Sequence, residues 1–271
     1  MLVHHYTTID TLELILTNRT LRFNRLDNVD DRQESELISK EHWSKFIFVS
    51  SWSANEYESH AMWGYSGLNG VKIGLPKFPF KKYKLTTQES LNFFVESEVY
   101  CPLPFEQIYN EKWMFLCPPF QQEVFGNAVE YFPNPVSQIK PFTKDENGDY
   151  NFYLGKELSR IKDIVWDYQK EFRYVLVIVP SSPNEFNSWK DTGQIDHFLR
   201  GGLRNFVYGA DMPLQYFDLE LGDDLDSIEV TLGPDCNDSE TKRVKELLHK
   251  YTSNGIVLPS RLEGKLQKPK R

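Results

Sequence analysis

Apolar residues along this chain change their period repeatedly, and each change predicts an element. The longest signal is the run YVLVIV at 174–179, closed by Pro180. An unbroken aliphatic run of that length predicts a strand buried on both faces, near the middle of a sheet. Ahead of it a period of two places Gln169, Glu171 and Arg173 on one face and Tyr168, Lys170, Phe172 and Tyr174 on the other, so the strand is expected to start near residue 166. A carboxylate is thereby carried toward the core, between an amide and a guanidinium.

The rest of the chain reads as short elements. Residues 2–6 predict a strand, and Thr7 with Asp10 has capping-box spacing before Ile9, Leu12, Ile15 and Leu16, which recur at helical intervals up to Asn18. Strands are expected at 21–23, 46–49, 71–75, 91–101, 113–117, 206–208, 216–219, 228–232 and 256–258. A polar helix is expected over 32–45, and another over 56–65 with Tyr57, Ala61 and Tyr65 on one face. Between them Ser51, Trp52 and Ser53 follow directly behind a strand. Residues 118–149 carry weak signals, and 151–162 predict a short helix or an extended piece. The stretch from Pro180 to Gly202 reads as polar, with aromatics Phe186, Trp189 and Phe198. A last helix runs over 239–251 with Val244, Leu247, Leu248 and Tyr251 on one face, ended by Asn254-Gly255 as a left-handed cap.

Many short strands, few helices, no repeat and no linker predict one α+β domain over 1–264 with a mixed sheet and peripheral helices. The basic tail 265–271 is expected to be disordered. Apolar content of 40% supports a real core, and the net charge of −8 argues against non-specific adhesion to nucleic acid or anionic lipid. Three cysteines, Cys101, Cys117 and Cys236, form neither a disulfide framework nor a zinc pattern. No apolar run reaches membrane-spanning length, so a cytoplasmic protein without membrane contacts is expected.

Several standard sites are absent. No phosphate loop or Gly-x-Gly-x-x-Gly run occurs, Gly64-Tyr-Ser-Gly67 is one residue short of a nucleophile elbow, and no histidine pair has metal-ligand spacing. Asp27, Asn28, Asp30 and Asp31 lack the central Gly and terminal Glu of a calcium loop, so no metal is expected. Glu171 leaves two readings open: an ion pair with Arg173 at the sheet's rim, or a catalytic acid held at a cleft.

An ordered set of motifs spans nearly the whole chain: His5-Tyr6-Thr7, residues 12–16, Ser51-Trp52-Ser53, Met62-Trp63-Gly64-Tyr65, Gly70-Val-Lys-Ile-Gly74, Tyr168-Gln-Lys-Glu-Phe-Arg173 and Leu232-Gly-Pro234. This set resembles the bacterial domain-of-unknown-function family 2971. One departure stands out: where that family has an Asn-Asp-Pro loop, this chain has Asn28-Val-Asp30-Asp31. That family in turn looks like the ADP-ribosyltransferase group, a fold-level analogy.

The resemblance implies a split, mixed β-sheet of ADP-ribosyltransferase-like type with NAD as substrate in the cleft. It also implies a transferase acting as a bacterial toxin, as in toxin–antitoxin pairs, or as a phage-defence effector. The acceptor would be a protein or nucleic acid, and an antitoxin or regulatory protein a further partner. Glu171 would face the developing oxocarbenium charge, His5 would position the ribose or nicotinamide amide, and Tyr65 or Tyr57 would stack on the nicotinamide. Ser53 would support Glu171, while Tyr6, Thr7 and Ser51 would complete the dinucleotide site. Gln169 and Arg173 would meet the acceptor. The alternatives are an NAD glycohydrolase and a non-catalytic interaction or sensor module of a defence system. The sequence predicts that Glu171→Gln abolishes nicotinamide release with little change in melting temperature; a large stability loss with unaltered turnover would favour the ion pair.

Overall fold

A computed structural model of the chain describes residues 1–31, 34, 42–86, 99–116, 119, 125–139, 142–144, 150–152 and 159–266, with 142–144 and 150–152 described by backbone alone. Among these, ten strands form one mixed sheet. In chain order they are β1 (Leu2–Thr7), β2 (Thr20–Arg25), β3 (Ile47–Ser53), β4 (Val71–Pro76) and β5 (Trp113–Phe115). Then come β6 (Gly126–Ala128), β7 (Glu171–Pro180), β8 (Tyr216–Glu220), β9 (Glu229–Leu232) and β10 (Ile256–Leu258). The longer helices are α1 (Ile9–Asn18), α2 (Pro183–Thr192), α3 (Ile195–Tyr208) and α4 (Asp238–Tyr251). The molecule is thus an α+β protein with a large mixed sheet.

The aliphatic run behaves as its composition requires. Every residue of β7 before Pro180 is buried. One edge pairs with β3 from Glu171↔Ser53 to Val177↔Ile47, and the other takes β6 and then β5. Tyr174, fully buried, packs its ring against Phe80, Phe172 and Phe125 at 5.1, 5.2 and 5.4 Å between centroids. The start of β7 differs from expectation. Residues Ile164–Gln169 form a 3-10 helix capped by the Asp163 side chain, and Lys170 turns the chain in a left-handed conformation, φ 43°. Four residues of alternation do not separate a strand from a tight turn when a side-chain cap competes for the backbone.

The ladder on the opposite edge of β3 is interrupted. β1 meets β3 at the single pair His4↔Ser53, while β2 meets it only at Asn24↔Val49 and Arg25↔Phe48. Among the described residues, 50–52 between these contacts have no strand partner on that edge. β1 instead pairs along its whole length with β4, from Leu2↔Pro76 to Thr7↔Val71. The sheet therefore opens between β1 and β2, which α1 connects.

Ile9, Leu12, Ile15 and Leu16 are the buried residues of α1, as their spacing predicts. Its N-cap is Thr8, accepting from the Thr11 N–H, because Thr7 is still in β1. Ser51 and Ser53 belong to β3 itself rather than to a loop behind it. The helix expected over 56–65 is reduced to Trp63–Ser66. The backbone before it is bound elsewhere: Lys72 Nζ donates to the Glu56 carbonyl and the Ser59 N–H to Tyr6 Oη. Glu58 accepts from Trp63 Nε1, the Ser260 hydroxyl and the Arg261 N–H, which ties residues 260–261 over this segment.

The polar stretch after Pro180 folds as two helices, and residues 206–208 are the last turn of α3 rather than a strand. Gly202 admits Met114 so closely that a Cβ there would lie 2.1 Å from its Sδ. α4 ends in extended Thr252, whose N–H and hydroxyl both reach the Leu248 carbonyl, so Asn254-Gly255 is not a left-handed cap. The expected helix at 32–45, the strand at 91–101, the piece at 151–162, Cys117 and the tail lie wholly or mostly outside the described residues.

Candidate functional site

A cavity of about 580 Å³ occupies the opening between β1 and β2, a volume within the usual range for small-ligand sites. Its wall includes His5 and Tyr6 from β1, Ser51 and Ser53 from β3, and Tyr65, Gln169, Glu171 and Arg173. Segments far apart in sequence thus place most of the expected residues around one hollow. Thr7 and Tyr57 are not part of this wall. Thr7 is buried in the pairing with Val71, and Tyr57 is 63% exposed, with Arg261 over its ring at 5.6 Å.

His5 fills the place where the β1–β3 ladder stops. Its Nδ1 bonds the Ser51 carbonyl at 2.9 Å, satisfying a backbone group the split leaves without a strand partner. Its ring lies 5.3 Å from that of Trp52. Burial lowers the His5 pKa, partly opposed by the Ser51 carbonyl. His4, in register with Ser53, is held at about 4 by burial and then by Lys72. Tyr6 sets its ring edge-on to Trp63 at 4.9 Å.

Glu171 is buried at the cavity wall with both oxygens engaged. Oε1 accepts from Arg173 Nε at 2.6 Å and Oε2 from Lys162 Nζ at 2.9 Å. Burial alone would raise its pKa, but Arg173 and then Lys162 outweigh burial and hold it at about 2. Ser51 meets His5 through its carbonyl, and its register partner on β7 is Arg173, which holds Glu171. Ser53 has a different part from the one expected: its hydroxyl donates to the Gln169 carbonyl at 2.7 Å and ties down the turn before β7.

Arg173 also grips Glu34 through both terminal nitrogens and donates to the Ser159 carbonyl. Burial pushes the Glu34 carboxyl up, against the pull of Arg173 and Lys162. Two carboxylates and two cations make a closed, formally neutral cluster. The rim ion pair considered for Glu171 thus exists, but it is part of a buried quartet facing a cavity.

Sequence reasoning missed Lys162, Glu34 and Tyr131, whose Oη accepts the Glu171 N–H at 2.8 Å. Lys162 and Tyr131 are neighbours on the parallel strands Ile161–Asp163 and Glu130–Phe132. Three-residue strands carry no usable period, so no local signal marks these two residues. Tyr65 Oη contacts Tyr168 Oη at 3.0 Å and accepts from Gln169 Nε2 at 2.8 Å.

No protein-family model, no curated protein and no solved structure matches this chain. Among the described residues no cluster of three or more His, Cys, Asp or Glu side chains could hold a metal, and no helix is long and apolar enough to cross a membrane.

Proposed function

We propose that the cavity binds NAD and that the chain transfers its ADP-ribosyl group to a macromolecular acceptor, a protein or a nucleic acid. The supporting observation is the convergence of His5, Ser51, Tyr65, Gln169 and Glu171 on one hollow, with the imidazole bonded to the Ser51 carbonyl. In this reaction the bond between ribose C1′ and the nicotinamide nitrogen breaks, and its electron pair leaves with nicotinamide. The ribose passes through an oxocarbenium-like state. Glu171, ionised throughout the neutral range, stabilises that positive charge. His5 anchors a ribose hydroxyl or the carboxamide, and Tyr65 offers its ring to the nicotinamide. The acceptor nucleophile then bonds to C1′ and gives up its proton. Water in that place makes the same site an NAD glycohydrolase.

One observation favours a second reading, a non-catalytic module that binds without cleaving. Arg173 and Lys162 already neutralise Glu171, which weakens the field it offers a developing cation. A toxin or phage-defence role, with an antitoxin or regulator as partner, draws its support from the sequence motifs rather than from the cavity.

The deciding experiment incubates the protein and a cell lysate with NAD labelled in its adenine. Label on a macromolecule supports the transferase, free ADP-ribose the glycohydrolase, and bound, intact NAD the binding module. Absence of any NAD binding in a direct titration would refute all three.

A further inference from the structure

Gln169 and Glu171 are held by the same cation. Lys162 Nζ donates to Gln169 Oε1 at 3.1 Å and to Glu171 Oε2 at 2.9 Å, with Glu34 Oε2 at 3.7 Å as its third neighbour. Its side chain is only 6% exposed, yet Lys162 belongs to the cavity wall. An ammonium has three rotatable donors, so it can serve three acceptors that share no plane, which a flat guanidinium cannot. The contacts also settle which way the Gln169 amide faces. Lysine only donates, so the oxygen of Gln169 must point at Lys162, leaving Nε2 to donate to Tyr65 Oη.

We propose that Lys162 is a positioning residue, a clamp that sets the Gln169 carboxamide and the Glu171 carboxylate in one fixed relation at the cavity wall. Through Gln169 the clamp extends to Tyr65, so one buried cation orders a chain of three groups facing the ligand space. Charge balance alone would explain Lys162 without Gln169, because Glu171 and Glu34 already supply its counter-ions. The bond to Gln169 is what a clamp requires and neutralisation does not. The meaning of the clamp for turnover rests on the NAD reading above; its existence does not.

The test compares the full-length wild-type chain with Glu34→Gln, Lys162→Met and the double variant Lys162→Met/Glu34→Gln. Lys162→Met alone leaves the buried cluster with one excess negative charge and is open to misfolding. The double variant restores neutrality, with Glu171 facing Arg173, and gives up the cation–π contact of Lys162 Nζ with the Trp166 ring. The first readout is the rotational order of the Gln169 side-chain amide, followed by 15N relaxation in glutamine-labelled protein and assigned with Gln169→Leu. Wild type and Glu34→Gln should show a rigid amide, and the double variant a loosened one. The second is nicotinamide release. Loss of the Lys162 hydrogen bonds to Gln169 and Glu171 should lower kcat by about tenfold or more in the double variant and leave KM near the wild-type value, the pattern of disturbed geometry rather than lost binding. A Gln169 amide as rigid in the double variant as in wild type overturns the clamp and leaves Lys162 as a counter-ion. Loosening of the amide in a protein that never cleaves NAD upholds the clamp and removes the catalytic reading instead.

Discussion

Replacing Glu171 by glutamine perturbs more than the proposed catalytic group. The substitution keeps the shape of the side chain and deletes its charge, leaving Glu34 as the only carboxylate of the cluster against Arg173 and Lys162. Removing one partner of a buried ion pair costs about 3–5 kcal/mol, because the remaining charge stays desolvated. The carboxyl itself gives a comparable figure: its pKa falls from 4.5 to about 2, which at about 1.4 kcal/mol per pH unit is about 3 kcal/mol. For a chain of this size that is a fall in melting temperature of roughly 6–20 °C. The near-neutral stability expected from sequence is therefore replaced by a large loss, and that loss does not exclude catalysis, since both follow from one buried carboxylate.

The sign of the pH dependence provides the control. A carboxyl depressed by its folded-state partners contributes its full stability above the unfolded pKa of about 4.5 and loses it as pH falls toward about 2. Denaturant melts of wild type and Glu171→Gln should therefore differ widely at neutral pH and converge in acid. A difference below about 1 kcal/mol at neutral pH, or one that persists unchanged in acid, would refute the charge-cluster argument.

Tyr65→Ala should weaken NAD binding by about 1 kcal/mol, typical of a lost aromatic contact, and equal affinities by calorimetry would remove Tyr65 from the site. Tyr57→Ala, at an exposed side chain outside the cavity wall, should leave the same titration unchanged. Burial lowers the His5 pKa, so its imidazole is already neutral at neutral pH. NAD binding should then be flat above pH 6.5, the ordinary value for histidine, and an inflection there that disappears in His5→Gln would contradict this.

The parts of the fold that sequence reveals are those with long or strongly periodic apolar patterns. The β7 run and the Ile9, Leu12, Ile15, Leu16 stripe of α1 are legible because burial and period agree. α2 and α3 were missed, their marks being punctuation rather than period: Ser182 caps α2, Pro183 occupies its first turn, and Gly193 and Gly209 end the two helices in left-handed conformation. Their stripe was diluted by Gly201 and Gly202, which are small because a side chain and a neighbouring strand press on the helix there. Of the site, His5, Ser51, Tyr65, Gln169 and Glu171 were found through ordered motifs. Lys162 and Glu34 reach Glu171 through tertiary contacts that local pattern does not encode.

The Glu58 carboxylate makes the far end of the chain a part of the cavity's neighbourhood. It is the common acceptor for Trp63, whose ring supports Tyr6 on the wall, and for Ser260 and Arg261, which follow the last strand. A chain cut back to Leu258 would retain every strand of the sheet, yet its Glu58 would keep only the indole as a donor among these three. Limits of a minimal functional fragment drawn from the sheet alone would thus fall short, because the tether that holds down the segment over Tyr6 begins two residues after the last strand ends.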